Sequence, residues 1–288
     1  MRQASGRAVQ VNGRSVYVEE SGNGPDWVLF EAGQGLGRTC WDAVLPLLAD
    51  RAHLVAYDRA GFGRSGRTAV QLGIDDMAAD LVAMAAAVVA GRFVLVAHSM
   101  GGLVARRAVE SLGPRLQGLL LLDPTPESAP VYDTFDQTAR KVDRAMGVTQ
   151  ALVRSRPLAR MVSGNIGRVF PADTYATMLA EDFVPAGIAQ TRKEFKAVAA
   201  AIPRFRAEPP GLPTCPTLLL SASRPVKGRE RQHAVITEHQ RRWVETLPDG
   251  RFEKVDSAHF IQAEQPGIVA DRITSLLDRP SRTGARSS

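Results

Sequence analysis

Cysteine is scarce in this chain: Cys40 and Cys215 are the only two among 288 residues. Thiols so far apart form neither a redox pair nor a cysteine-rich metal cage, so free, packed thiols are expected. Long apolar runs are also lacking. The longest, Leu81 to Ala90, is too short to span a bilayer. Met1-Arg2-Gln3-Ala4-Ser5-Gly6 leads into no apolar segment of the kind a signal peptide needs, so a cytoplasmic protein is expected. Of the 36 basic residues only five are lysine; the arginines are scattered among 30 acids, and no basic block is interleaved with aromatics. The net charge of +6 therefore does not read as a nucleic-acid surface. The arginine excess, beside many alanines, fits the coding bias of a GC-rich genome. Histidines number five, and no two of them share metal-ligand spacing with a carboxylate. No glycine-rich phosphate loop follows the first strand either. Neither metal, cofactor, nucleic acid nor membrane is expected as a partner, and a small molecule is; the oligomeric state is left open.

Apolar residues make up 44% of the chain, ample for a core, and the length suits one α/β domain with a sizeable insertion. Ala8 to Glu20 alternates as a β-hairpin about the turn pair Asn12-Gly13. Trp27–Phe30, His53–Tyr57, Phe93–Ala97, Leu119–Leu122, Thr217–Ser221 and Phe252–Val255 then read as strands. Helical patterns lie between them, at Thr39 or Trp41 to Ala49, Asp75 to Ala90, Leu103 to Leu112 and Glu238 to Leu247, and a last one closes the chain from Pro266 to Asp278. Asp75 and Asp76 sit at the positive N-terminal end of the second helix. Continuous apolar strands alternating with helices predict a mostly parallel central sheet covered by helices on both faces.

The rhythm changes at Thr125. No buried strand appears for about ninety residues, and helical patterns near 131–147, 149–161, 172–181 and 187–201 are broken by Pro157, Pro171, Pro185 and Pro203. Residues 125–216 are expected to form a helical cap inserted between two parts of the sheet domain, 8–124 and 217–278. Most of Phe135, Met146, Met161, Phe170, Met178, Phe183 and Phe195 should pack cap against core, with a minority lining an apolar pocket. The Arg/Ser/Gly-rich tail, 279–288, is expected to be disordered.

The most informative stretch is Phe93-Val94-Leu95-Val96-Ala97-His98-Ser99-Met100-Gly101-Gly102. A valine-rich buried strand turns through small-x-Ser-x-Gly and continues as an amphipathic helix, the context of a nucleophile elbow. A serine hydroxyl needs a base to take its proton, and the base needs an acid to hold its tautomer. His259, in the loop after the last strand, is where the order serine, acid, histidine would put the base. His98 adjoins Ser99 along the chain and is expected to be a packed elbow residue. His53, His233 and His239 read as surface residues.

Together these features resemble the α/β-hydrolase superfamily. The matching pieces are Ala97-His98-Ser99-Met100-Gly101 as elbow, Asp58-Arg59-Ala60-Gly61-Phe62-Gly63-Arg64-Ser65 as the turn after the fourth strand, and Ser257-Ala258-His259-Phe260 as the histidine loop. The resemblance implies an α/β-hydrolase fold, with Ser99 as nucleophile and His259 as base. Many members carry His-Gly at the oxyanion loop, where this chain has Glu31-Ala32-Gly33-Gln34-Gly35. The donors there are backbone N–H groups, so the change of side chains is tolerable; they are assigned to Gln34 and Met100. The usual loop for the acid, Ala222 to Gly228, holds no carboxylate. Asp123, at the end of the strand after the elbow helix, is the expected acid, with Glu230 next and Asp256 and Glu127 behind it. Asp58 and Arg59 are read as structural. The reading that follows is a serine hydrolase of small, apolar carboxylic esters, thioesters or lactones that needs no cofactor. A non-hydrolytic enzyme of the same fold (lyase, cyclase or perhydrolase-like) and a ligand sensor without turnover are the alternatives. Serine at the elbow argues against epoxide hydrolase or dehalogenase chemistry, for which the superfamily places aspartate there.

Overall fold

A computed structural model of the chain describes residues 5–279. The described residues open on a hairpin: β1 (Ser5–Val11) and β2 (Arg14–Ser21) pair antiparallel about Asn12 and Gly13, whose φ angles are +48° and +76°. β3 (Asp26–Glu31), β4 (Ala52–Asp58), β5 (Phe93–His98), β6 (Leu116–Leu122), β7 (Thr217–Ala222) and β8 (Gly250–Val255) complete one sheet. Its eight strands lie in the order β1-β2-β4-β3-β5-β6-β7-β8. β2 meets β4 antiparallel, and every neighbour pair beyond that is parallel. In register, Leu95 of β5 stands between Leu29 and Leu119, and all six residues of β5 are buried. An unbroken apolar run is what a strand covered on both faces requires.

Helices α1 (Leu45–Leu48), α2 (Ile74–Val88) and α3 (Gly101–Leu112) connect the first strands. Leu81, Met84 and Leu103, from α2 and α3, pack on one face of the sheet. Between β6 and β7 the chain forms α4 (Phe135–Leu152), α5 (Arg156–Val162), α6 (Ala172–Glu181) and α7 (Pro185–Ala207), a helical insertion. α8 (Glu230–Glu245), α9 (Ile261–Glu264) and α10 (Pro266–Leu277) follow, and Ile273 and Leu276 of α10 join Trp41 and Phe30 in the core on the other face. This is the expected mostly parallel α/β architecture with inserted helices. Among the described residues no helix is long and apolar enough to cross a membrane.

Some local expectations are corrected. The helix expected from Thr39 or Trp41 to Ala49 is a 3₁₀ turn (Arg38–Trp41) followed by the single turn of α1. α8 starts eight residues before the expected Glu238, because its opening residues Glu-Arg-Gln-His carry no apolar period. Pro157 and Pro185 sit in first turns, where a missing N–H costs nothing, and α7 continues through Pro203 instead of ending there. Met161 is exposed, while Phe170 and Met178 are buried. Arg279 is held by Asp249 at 2.8 Å; the rest of the tail expected to be disordered lies outside the described residues.

Strand order decides what meets at the carboxyl edge. β5 lies between β3 and β6, so the loops after those three strands converge there, as is usual for ligand crevices in parallel sheets.

Candidate active site

Only Ser99 and Met100 separate the end of β5 from the start of α3. Ser99 has φ +53°, and Asp123, one residue past β6, has φ +41°. Among the described non-glycine residues only Asn12, in the hairpin turn, shares that region. Strained backbone held in place by its surroundings is a mark of functional positions. The turn leaves no room for side chains beyond it. A Cβ on Gly101 would stand 2.6 Å from the Ala32 carbonyl oxygen, and one on Gly102 2.6 Å from Pro124 Cβ. The Ser99 amide donates to the Leu122 carbonyl (3.0 Å), and the Thr125 amide donates to the Ser99 carbonyl (3.2 Å). The serine turn and the end of β6 are thus one hydrogen-bonded unit.

The structure brings Ser99, His259 and Asp123 together. His259, in the loop between β8 and α9, has Nε2 3.0 Å from Ser99 Oγ and Nδ1 2.6 Å from Asp123 Oδ2. The His259 side chain is 45% exposed and that of Asp123 only 12%, so the imidazole is open to small molecules while its carboxylate is covered. Burial opposes ionisation of Asp123. The hydrogen bond and charge of His259, and then the Gln240 amide, outweigh it and hold the carboxyl below its ordinary value. A carboxylate so placed favours the tautomer with a proton on Nδ1, which leaves Nε2 free to accept from a hydroxyl.

One partner of Asp123, and the residue that orients it, are not legible in the sequence. Gln240, buried on α8, donates its Nε2–H groups to Asp123 Oδ1 (3.0 Å) and the Pro124 carbonyl (2.8 Å). The buried Ser221 hydroxyl donates to Gln240 Oε1 (2.7 Å), which sets the amide's orientation. A polar helix such as α8 offers no periodic signal that would single out one glutamine as buried. The other carboxylates considered are engaged elsewhere. Glu230 accepts from the Gly228 amide (2.9 Å), Asp256 lies 3.4 Å from Arg224, and Glu127 makes a two-pronged pair with Arg106 (2.5 and 2.8 Å).

His98 is more than packing. Its buried ring lies 4.7 Å from that of His259 and 5.7 Å from that of Phe260, and its Nε2–H donates to the His259 carbonyl (3.0 Å). Burial, and then the neighbouring His259, pull its pKa down to about 3. It therefore stays neutral and anchors the histidine loop. His53, His233 and His239, expected at the surface, are half-buried. His53 pairs with Glu20 (3.1 Å) and packs tilted against the Trp27 ring, and His239 Nδ1 lies 3.0 Å from Ser128 Oγ.

Gln34 lies on the loop after β3, and its side-chain amide reaches the Thr191 carbonyl of α7 (3.5 Å). Met100 is buried at the start of α3. Asp58 accepts from the amides of Arg38 (2.8 Å) and Arg64 (3.0 Å), which fits its structural reading. Arg59 turns inward to the Gln34 loop. Cys40 and Cys215 are free and buried, and among the described residues no group of three or more histidine, cysteine or acidic side chains could hold a metal ion.

A model described as the alpha/beta hydrolase family matches residues 28–272. A pimeloyl-acyl-carrier-protein methyl ester esterase from Aeromonas hydrophila is 34% identical over 113 residues, which is 39% of this chain and 42% of that protein. The chain spans about half the length of the curated relatives it matches. Among solved structures, a Nostoc protein described only as an alpha/beta hydrolase superposes with a TM-score of 0.77 at 21% identity, over 96% of this chain and 99% of that one. A thermophilic esterase from Thermogutta terrifontis gives 0.66 at 23% identity, over 95% and 98%. At such identities these superpositions speak for the fold.

Proposed function

The chain belongs to the alpha/beta hydrolase family, and from that premise we infer that it is a serine hydrolase of small, apolar carboxylic esters, thioesters or lactones. One observation carries the reading: His259 bridges Ser99 Oγ and Asp123 Oδ2 at 3.0 and 2.6 Å. Ser99 Oγ attacks the substrate carbonyl carbon while its proton passes to His259 Nε2. Asp123 steadies the imidazolium. The backbone N–H groups of Gln34 and Met100 receive the oxyanion, the latter at the positive end of α3. The tetrahedral centre then collapses. The bond to the leaving oxygen or sulfur breaks, that atom takes the proton from Nε2, and an acyl group remains on Ser99. A water molecule, deprotonated by the same nitrogen, releases the acid and restores the serine. The partial likeness to a methyl ester esterase supports carboxylic esters as the substrate class.

The test is turnover of a p-nitrophenyl short-chain ester together with labelling by a fluorophosphonate probe. The native chain is expected to do both. Ser99→Ala, still folded by circular dichroism, is expected to do neither, and undiminished turnover in that variant would refute the reading.

A further inference from the structure

A buried charge cluster lies beneath the loop that carries Gln34, and it draws on three distant parts of the chain. Glu31 ends β3, Arg59 follows β4, and Glu194 belongs to α7 of the insertion. Glu31 and Glu194 are fully buried and Arg59 is 6% exposed. Arg59 Nε donates to Glu194 Oε1 (2.8 Å), and its Nη1 donates to Glu31 Oε1 (2.8 Å). The Tyr57 hydroxyl donates to the other Glu31 oxygen. Two further bonds from the guanidinium go to backbone: Nη1 also donates to the Ala32 carbonyl (2.6 Å), and Nη2 donates to the Gly33 carbonyl (2.7 Å). The remaining Glu194 oxygen accepts from the Gly35 amide (2.9 Å).

The contacts to the Gly33 carbonyl and the Gly35 amide fall on the peptide planes either side of Gln34. A trans peptide is planar, with C=O and N–H pointing in opposite directions. Drawing the Gly33 carbonyl down onto Arg59 therefore turns the Gln34 N–H the opposite way. Holding the Gly35 N–H on Glu194 fixes the plane that follows. The fit to α7 is close, since Gly35 has φ +72° and a Cβ there would stand 2.9 Å from Thr191 Cγ2.

Resting on the serine-hydrolase reading above, the geometry points to Arg59 and Glu194 as positioning residues that aim the Gln34 N–H at the oxyanion. One wall of the oxyanion site is thus supplied by the inserted helices. An ion pair that only stabilised the fold would not prefer the transition state over the ground state; this pair does.

The test compares Glu194→Ala, Glu194→Gln and Arg59→Lys with the native enzyme, using a p-nitrophenyl ester and an arylboronic acid whose tetrahedral adduct on Ser99 presents an oxygen to the same site. Glu194→Ala is expected to lower kcat roughly 10- to 100-fold with KM changed less than about threefold, and to weaken boronate inhibition by a similar factor. Glu194→Gln, which can still accept from Gly35, is expected to fall between. Arg59→Lys keeps the charge but cannot reach both carbonyls, and serves should the alanine variant not fold; the same joint loss is expected. Losses of kcat that follow Tm while boronate affinity stays native would overturn the inference and leave the serine-hydrolase reading standing. A native enzyme with neither turnover nor boronate affinity would overturn both.

Discussion

Gln240 offers a sharp test of how the acid is held. Its amide donates to Asp123 Oδ1 at 3.0 Å and to the Pro124 carbonyl at 2.8 Å, with Ser221 fixing the amide from behind. Gln240→Leu keeps much of the volume and removes both donors. A hydrogen bond to a charged group is worth about 1.5–3 kcal/mol, and Asp123 retains its partner His259 and only a long contact from the Ala222 amide (3.4 Å). The carboxylate then has one firm anchor where it had two, and its ordinary acidity is partly restored. If most of that energy is expressed in orienting the imidazolium, kcat/KM falls by roughly 10- to 150-fold. Ser221→Ala, which leaves the amide in place but free to rotate, should cost less. Stopped-time assays of a p-nitrophenyl ester, with denaturant melts on the same samples, measure both quantities. A folded Gln240→Leu protein with kcat/KM within about twofold of native would refute the role given to this glutamine.

Three further outcomes are expected. Asp182 is buried at the end of α6 beside Asp58, and burial, then that neighbour, push its carboxyl up to about 8. Its folded pKa lies above its unfolded value, so the folded state retains a proton the unfolded state has lost; stability should fall as pH rises from about 4 to about 8, by up to about 1.4 kcal/mol per pH unit. Asp182→Asn should flatten that slope in denaturant titrations, and an unchanged slope would contradict it. Asp123→Asn is expected to lower kcat by roughly 10³–10⁴-fold while Glu230→Gln leaves it within about twofold, and equal losses in initial-rate assays would count against Asp123. Gly33→Ala puts a Cβ 2.5 Å from the buried His98 Nδ1, so overpacking of about 1–3 kcal/mol is expected in thermal melts, and a native Tm would show that the ring yields freely.

Much of the fold was legible because burial writes itself into local pattern. The run Phe93–Ala97 could only be a strand covered on both faces, and Asn12-Gly13 could hardly be anything but a hairpin turn. The start of α8 is not legible, because its first turn is polar throughout and its burial comes later, at Thr237, Gln240 and Val244. At the site, Ser99 and His259 announce themselves by the elbow and the loop after the last strand. The proposed acid does not, since the sequence also offers Glu230, Asp256 and Glu127 beside Asp123. Of the four, Asp123 bonds to the His259 ring, while Glu127 and Asp256 face arginines and Glu230 a helix start. Arg59 was read as structural, and its contacts with the Ala32 and Gly33 carbonyls depend on a fold that brings residues far apart in the chain together.

The central claim is that a Ser99 acyl-enzyme lies on the reaction path. Rapid acid quench during turnover of p-nitrophenyl acetate, followed by peptide mass spectrometry, tests it most directly. A transient acetyl increment is expected on the peptide containing Ser99, and none is expected in Ser99→Ala. Sustained turnover with the peptide unmodified at every quench time, and with Ser99→Ala as active as the native chain, would contradict it.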